Sequence, residues 1–313
     1  MNKFTKGGQE AVFHRCDQFT YGFFHTYDNL ALGDHQPHKV HVLLPADYEE
    51  SQHKRWPVVY FNDGDTTFWP GGGFHKTWNV AGIISGMAAS GEVEPVIIVA
   101  VVPNDREHEY TDVEWAPGRA YGGLDRYAQL MAGHIKPWVD ATYRTVPHPR
   151  RTTIAGSSHG GLASFYIAAT RPQSFGLCIA FSPSLWVGQS YWRLGLASSG
   201  VASVVDLLGC PTTLATGHVV RTTLTAVGER PTIFFGVGLR RGGGFHNACV
   251  ERWATECTLA AVATLTDSES QGHAAYCEGT DLFVHKDPIG EHTEETWQRW
   301  LPYALRLFYG PRS

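Results

Sequence analysis

Ser158, framed as Gly156-Ser157-Ser158-His159-Gly160, is the residue best placed by its neighbours to do covalent chemistry. The spacing G-x-S-x-G is that of a strand-turn-helix elbow, where glycines keep the turn tight enough to lift a serine hydroxyl clear of both elements. The backbone N–H groups that follow, beginning with His159, then aim where an oxyanion would form. A serine hydroxyl is a poor nucleophile at neutral pH and needs a base, for which histidine has the ordinary pKa. Of the 16 histidines, His292 has the most suitable setting. It follows a strand candidate at 282–285 and the loop Lys286-Asp287-Pro288-Ile289-Gly290-Glu291, and it precedes a helix, as the last member of a Ser, acid, His order does. Where such a pair meets, its chemistry is acyl transfer through serine; by position alone His292 also reads as an ordinary residue at a helix N-terminus.

The elements that must hold these groups are legible on either side. Residues 151–155 form a short strand candidate before Ser158, and 162–169 a helix closed by Arg171-Pro172, where proline stops propagation. Upstream, 11–27 mixes aromatic and polar residues as edge strands do, and 39–44 continues as a strand ending at Pro45. The run 56–61 and the run 94–103 are apolar enough to be buried on both faces, and 80–89 between them is helical, so they predict a parallel crossover. Leu124, Tyr127, Ala128, Met131, Ile135, Trp138 and Val139 make one apolar stripe of a helix over 124–139, and Pro137 requires a kink near its end. Strands at 177–182 and 232–238, a helix at 245–265, and a last helix capped by Thr293 with Trp297, Trp300, Leu301, Ala304, Leu305 and Phe308 on one stripe complete the series. Residues 187–230 show no clean period and read as a cap or lid insertion. The alternation predicts one α/β domain over 1–313, a mostly parallel doubly wound sheet with helices on both faces and reactive groups at the carboxyl ends of its strands.

Composition narrows the function classes. A chain of 313 residues with 43% hydrophobic, 12% aromatic and 18% charged residues is an ordinary globular one. A net charge of −5 offers no attraction to phosphate backbones or anionic lipid, so nucleic acid and membrane are not expected partners. No stretch approaches the ~20 apolar residues of a membrane span, and the start of the chain lacks the apolar core of a signal peptide. The expectation is a cytoplasmic protein. Its six cysteines form no C-x-x-C pair, and neither a disulfide framework nor a zinc ribbon is indicated. His75, His108 and His246 have no partner at ligand spacing, so no metal and no cofactor is expected.

Larger motifs add to this. They are Pro57-Val58-Val59-Tyr60-Phe61-Asn62-Asp63-Gly64, Arg106-Glu107-His108-Glu109-Tyr110, Leu124-Asp125-Arg126-Tyr127 leading to the segment 136–145, the elbow itself, Phe181-Ser182-Pro183-Ser184-Leu185-Trp186, and Gly290-Glu291-His292 followed by Trp297. In these the chain resembles the esterase D and enterochelin-esterase-like branch of the α/β-hydrolases, over roughly residues 38–186 and 282–309. The resemblance implies an α/β-hydrolase fold, with Ser158 as nucleophile and His292 as base. It also implies an oxyanion hole made by the N–H of His159 and one from Gly64 or Asp65. Arg106 matches a position that faces the active site in similar siderophore esterases, where a guanidinium would clamp a substrate carbonyl or carboxylate. The rival reading of Arg106 is a structural ion pair with Glu109 or Glu114. For the side chains of Asp63 and Asp65 the reading is that of turn formers.

The chain departs from the family pattern at the acid. Relatives place Asp or Glu after the strand equivalent to 232–237, where this chain has Gly238-Leu239-Arg240-Arg241-Gly242. Asp287, with Asp267 and Glu269 behind it, is the candidate to orient His292; otherwise the site runs as a Ser-His dyad, which is slower. Phe68, Trp69, Phe74, Trp78, Trp115, Tyr121 and Trp186 fall in strand-end loops, and of these Trp69 and Trp186 are taken as substrate-binding walls. The expected activity is hydrolysis of a small-molecule carboxylic ester through an acyl-enzyme. An acyltransferase with the same machinery, or a non-catalytic binding protein of the same fold, are the alternatives.

Overall fold

The structure is a computed structural model, and it describes residues 2–15, 20–73, 75–116, 118–187, 230–240, 248–267 and 275–311. The lid expected over 187–230 lies, apart from its two end residues, outside the described residues, as do Phe74, Arg241, His246 and Glu269.

Ten strands make one sheet, in the order β1-β2-β3-β4-β6-β5-β7-β8-β9-β10. They are β1 (Asn2–Lys6), β2 (Gln9–His14), β3 (Gly22–Leu30), β4 (His38–Pro45), β5 (Val58–Phe61), β6 (Ile97–Val102), β7 (Thr152–Ser157), β8 (Leu177–Phe181), β9 (Thr232–Gly238) and β10 (Leu282–Asp287). The first four strands are antiparallel, and β4 pairs antiparallel with β6. From β6 through β10 every pairing is parallel. The sheet is thus mostly parallel, with an antiparallel entry, as the sequence predicts. β1 was not among the expected elements. Its signal is the Gly7-Gly8 pair, both at positive φ, which turns the chain back into β2 as a tight hairpin.

Helices cover both faces. Alternate residues of β5 divide between two cores: Val58 and Tyr60 join one, Val59 and Phe61 the other, as the two-residue period of a strand requires. The described helices are α1 (Gly64–Thr67), α2 (Val80–Ala89), α3 (Arg106–Tyr110), α4 (Leu124–Gln129), α5 (Lys136–Thr142), α6 (His159–Thr170), α7 (Ala248–Thr266) and α8 (Glu294–Tyr309). α4, α6 and α7 close over the first core, and α2 and α8 over the second. The kink expected at Pro137 takes the form of a π-helical turn, Leu130–Ile135, between α4 and α5. A wider turn there relieves the clash of a proline ring with the preceding turn and absorbs the missing N–H. None of the described helices is long and apolar enough to cross a membrane.

The chain runs from β5 to β6 on one side and later to β7 on the other. Such a reversal of strand order leaves a crevice at the carboxyl ends of the two strands, which is where open α/β sheets bind ligands. The residues after β5 and β7 are Asn62 to Asp65 and Ser158.

Candidate active site

β7 is buried along its whole length, so the turn after it must be made without room. Ser158 makes it at φ 54 and ψ −123, a backbone state that costs a non-glycine residue about 1–3 kcal/mol and persists only when the surroundings enforce it. A Cβ on Gly156 would stand 2.4 Å from the Gly160 carbonyl oxygen, so strand and helix approach more closely than any side chain allows. The Ser158 N–H donates to the Phe181 carbonyl at 3.0 Å, and the Ser184 N–H to the Ser158 carbonyl at 2.9 Å. Both peptide groups of the turn are therefore tied to β8 and the segment after it.

The loop after β5 is fixed just as tightly. Asn62 Nδ2 donates to the Gly160 carbonyl at 2.9 Å and to Ser164 Oγ at 3.0 Å, and Asn62 Oδ1 accepts from the Tyr127 hydroxyl at 2.8 Å. Asp63 is left-handed at φ 57, and its N–H donates to the Tyr110 hydroxyl at 3.0 Å. Its carboxylate takes two hydrogen bonds from Arg106, Nε to Oδ1 at 2.7 Å and Nη2 to Oδ2 at 3.0 Å. Burial alone would lower the Arg106 pKa, but the charge and hydrogen bonds of Asp63, joined by Tyr110 and Asp65, together outweigh it and raise the value. Arg106 is thus engaged by Asp63 rather than by Glu109 or Glu114, and Glu109 pairs with His38 instead. Asp63 does more than form a turn: it anchors the guanidinium. The side chain of Arg106 is nonetheless 39% exposed, and it still faces the cleft.

That cleft, of about 180 Å³, is lined by Ser157, Ser158, Asp63, Asp65, Thr66, Gly71 to Gly73, Trp78, Arg106, Glu294 and Trp297. Asp65 and Glu294 face it with carboxyl groups whose pKa values are raised, in each case first by burial. Gly64 is buried, with its Cα against the backbone carbonyl groups of Ala100 and Val101. His159, the other expected oxyanion donor, begins α6; its imidazole turns away from the cleft, with Nδ1 3.0 Å from Ser184 Oγ and the ring edge-on to Trp115.

His292 is 3% exposed in the loop between β10 and α8. Thr293 caps α8 by accepting from the Thr296 N–H, and one turn on stands Trp297. The His292 ring meets Trp297 edge-on with centroids 5.1 Å apart. Trp297 in turn donates through Nε1 to Ser182 Oγ at 3.2 Å and lines the cleft beside Ser158. The structure therefore brings the His292 loop and the Ser158 elbow to one shared wall.

Asp287 is placed otherwise than the sequence led us to expect. Its Oδ1 accepts from the Ile289 N–H at 3.0 Å, and its Oδ2 from Arg299 and from Trp300 Nε1, each at 2.8 Å. Burial works against the charge, but these three donors outweigh it and hold the carboxyl below its ordinary pKa. No hydrogen bond joins it to His292; it staples β10 to α8. Asp267 follows Thr266, the last residue of α7. The two tryptophans are also placed apart from the cleft. Trp69 packs on Phe24, His41 and Phe68, and Trp186 packs on His159 and Trp253, behind the elbow. Trp78 and Trp297 line the cleft in their place. Among the described residues no three His, Cys, Asp or Glu side chains are arranged to hold a metal ion.

Comparison with known proteins gives these features a context. The family model Esterase, described as "Putative esterase", matches residues 34–308. The chain is 30% identical over 162 residues to the siderophore triacetylfusarinine C esterase of Aspergillus fumigatus, covering 48% of this chain and 52% of that one. It is 30% identical over 131 residues to the iron(III) salmochelin esterase of Escherichia coli, covering 41% of this chain and 28% of that one. The similarity thus spans about half or less of the length of these relatives. In three dimensions the siderophore hydrolase EstA of Aspergillus nidulans superposes with a TM-score of 0.63 at 17% identity, covering 91% of this chain and 94% of that one, which establishes the shared α/β-hydrolase fold.

Proposed function

The chain belongs to the Esterase family, and from that premise we propose that it is a serine esterase in which Ser158 attacks the carbonyl of a carboxylic ester and His292 takes the hydroxyl proton. The observation that carries this reading is the enforced backbone of Ser158, at positive φ on a glycine-bounded turn that opens into the cleft. The tetrahedral oxyanion is held by the N–H of His159 and by an N–H from the Gly64-Asp65 turn, donors of a kind that contribute about 2.7–4 kcal/mol each. Collapse expels the alcohol, which receives its proton from His292. Water activated by the same imidazole then releases the acid.

The substrate class is that of siderophore esters, in line with the named activities of the relatives. A cleft of about 180 Å³ is smaller than the ~300–1,000 Å³ of pockets that engulf a whole ligand. It admits the ester-bearing arm of such a molecule and leaves the remainder outside. The setting is cytoplasmic and reducing, a reading supported by the exposed thiol of Cys277; cell fractionation tests it.

The decisive experiment is intact-mass spectrometry after a fluorophosphonate probe, followed by chromatography of triacetylfusarinine C, salmochelin and a simple aryl ester after incubation with the protein. One probe per chain, lost in Ser158→Ala, and cleavage of a siderophore ester are the expected results. A folded wild type that takes no probe and cleaves none of the three esters overturns the proposal.

A further inference from the structure

Ser158 has a second hydroxyl beside it. Ser184 Oγ lies 3.3 Å from Ser158 Oγ and 3.0 Å from His159 Nδ1, so three polar atoms form a chain that leads away from the cleft into the protein. Ser184 itself is fully buried. Its position is set by main-chain bonds: its N–H donates to the Ser158 carbonyl at 2.9 Å, and its carbonyl accepts from Val187 at 3.0 Å. The left-handed residue Ser182, φ 42, turns this segment off the end of β8, with its N–H on the Gly236 carbonyl at 2.7 Å. His159 cannot swing either, since its ring stands edge-on between Trp115 and Trp186, at 4.9 and 5.8 Å.

Resting on the reading of Ser158 as nucleophile, we propose that Ser184 donates a hydrogen bond to Ser158 Oγ, and that His159 is a positioning residue that sets the direction of this bond. A hydroxyl has one proton to give. If His159 carries its proton on Nδ1, it donates to Ser184 Oγ, and the proton of Ser184 is turned onto Ser158. Ser158 then keeps its own proton for His292. During attack the Ser158 O–C bond forms as that proton passes to His292, while the proton of Ser184 stays on Ser184. In deacylation water bonds to the acyl carbon as its proton passes to His292, the Ser158 O–C bond breaks as His292 returns that proton to Ser158 Oγ, and the same donor stabilises the departing oxygen. A separation of 3.3 Å is long for a hydroxyl pair and leaves room to shorten as negative charge gathers on Ser158. The opposite polarity would run the proton of Ser158 through Ser184 to His159 and make His159 the base.

The two polarities differ in an observable on the wild-type protein. A long-range ¹⁵N–¹H spectrum is expected to show His159 protonated on Nδ1; protonation on Nε2 alone overturns the proposal. In kinetics, Ser184→Ala is expected to lower kcat and the rate of fluorophosphonate labelling about tenfold, with KM unchanged, as for loss of one hydrogen bond to a charged transition state. Ser184→Thr, which keeps the hydroxyl, is expected to recover part of that loss, and His159→Asn to retain more activity than His159→Leu. Labelling of a folded Ser184→Ala at the wild-type rate overturns the proposal, as does a loss in His159→Leu that matches or exceeds the loss in His292→Ala. The two levels of reading fail separately: absence of any Ser158 label strikes the esterase reading, whereas normal labelling without Ser184 strikes only this one.

Discussion

Arg106 and Asp63 lie 43 residues apart in sequence and are joined by a parallel pair of hydrogen bonds at 2.7 and 3.0 Å. Asp63 is at φ 57, and the next two residues carry the N–H groups assigned to the oxyanion. The guanidinium therefore fixes a strained residue whose orientation decides where those donors point.

Asp63→Asn removes the charge and one acceptor of this pair. We expect kcat to fall about ten- to hundredfold, in keeping with a charged hydrogen bond worth about 1.5–3 kcal/mol, while KM changes little. Steady-state kinetics on a siderophore ester, with circular dichroism as the control on folding, checks this. A rise in KM alone would mean that Arg106 acts on bound substrate.

Gly156→Ala places a methyl group 2.4 Å from the Gly160 carbonyl oxygen and 2.9 Å from Ser164 Oγ. Neither neighbour can retreat, since Ser164 is itself bonded to the Gly160 carbonyl and to Asn62. Overpacking of this kind costs about 1–3 kcal/mol, occasionally more. Urea denaturation should show the loss, and fluorophosphonate labelling should slow with it.

Asp287→Asn separates two roles. If the carboxylate is a staple, stability at neutral pH falls by about 1–3 kcal/mol, the cost of weakening bonds to a buried charge, and kcat of the folded protein stays within tenfold. A loss of kcat near 10⁴-fold, as for a true triad acid, would instead place Asp287 on His292. Because the folded pKa is depressed, the staple contributes fully above the unfolded carboxylate value and is lost as pH falls through the folded one.

His25 and His41, buried on β3 and β4, predict an acid instability. Burial, followed by Lys6 for His25 and Lys39 for His41, lowers each pKa from 6.5 to about 4. The unfolded chain thus binds protons below pH 6.5 that the folded chain refuses until about pH 4. Stability is undiminished above the upper value, declines between the two and then levels, by on the order of 3 kcal/mol per histidine. His41→Asn should flatten the urea midpoint against pH between 7 and 4 relative to wild type. Parallel curves would contradict the assignment.

What could be read from the sequence were the local features. Ser158 and its flanking glycines, β7 and α6 are specified within some twenty residues, because a tight turn and a buried strand leave their mark on neighbouring residue types. The ends of α2 and the Thr293 cap are local in the same sense. Arg106 was singled out either as a residue facing the site or as half of an ion pair, but its partner Asp63 was not legible, because nothing in the spacing of 63 and 106 marks a contact made by the meeting of two strand ends. Trp69 and Trp186 show the same limit from the other side. An aromatic in a strand-end loop can face the cleft or back into the core, and only the loop's path decides. The significance of Ser184 likewise depends on β8 lying next to β7.

At the end of β9, Gly238 touches the histidine loop backbone to backbone: a Cβ on Gly238 would lie 2.3 Å from the Gly290 carbonyl oxygen, and one on Gly290 would lie 3.0 Å from the Gly238 Cα. The loop is held there by the Leu239 N–H on the Asp287 carbonyl at 2.9 Å and the Arg240 N–H on the Gly290 carbonyl at 3.2 Å. This is next to the place where the resemblance to the α/β-hydrolases leads one to expect an acid. A carboxylate therefore cannot be installed at position 238 by one substitution, since the side chain would first have to drive the loop off its strand. In mutational terms the glycine pair locks the end of β9 to the loop that carries His292, and a side chain at either position can enter only together with a rebuilt loop.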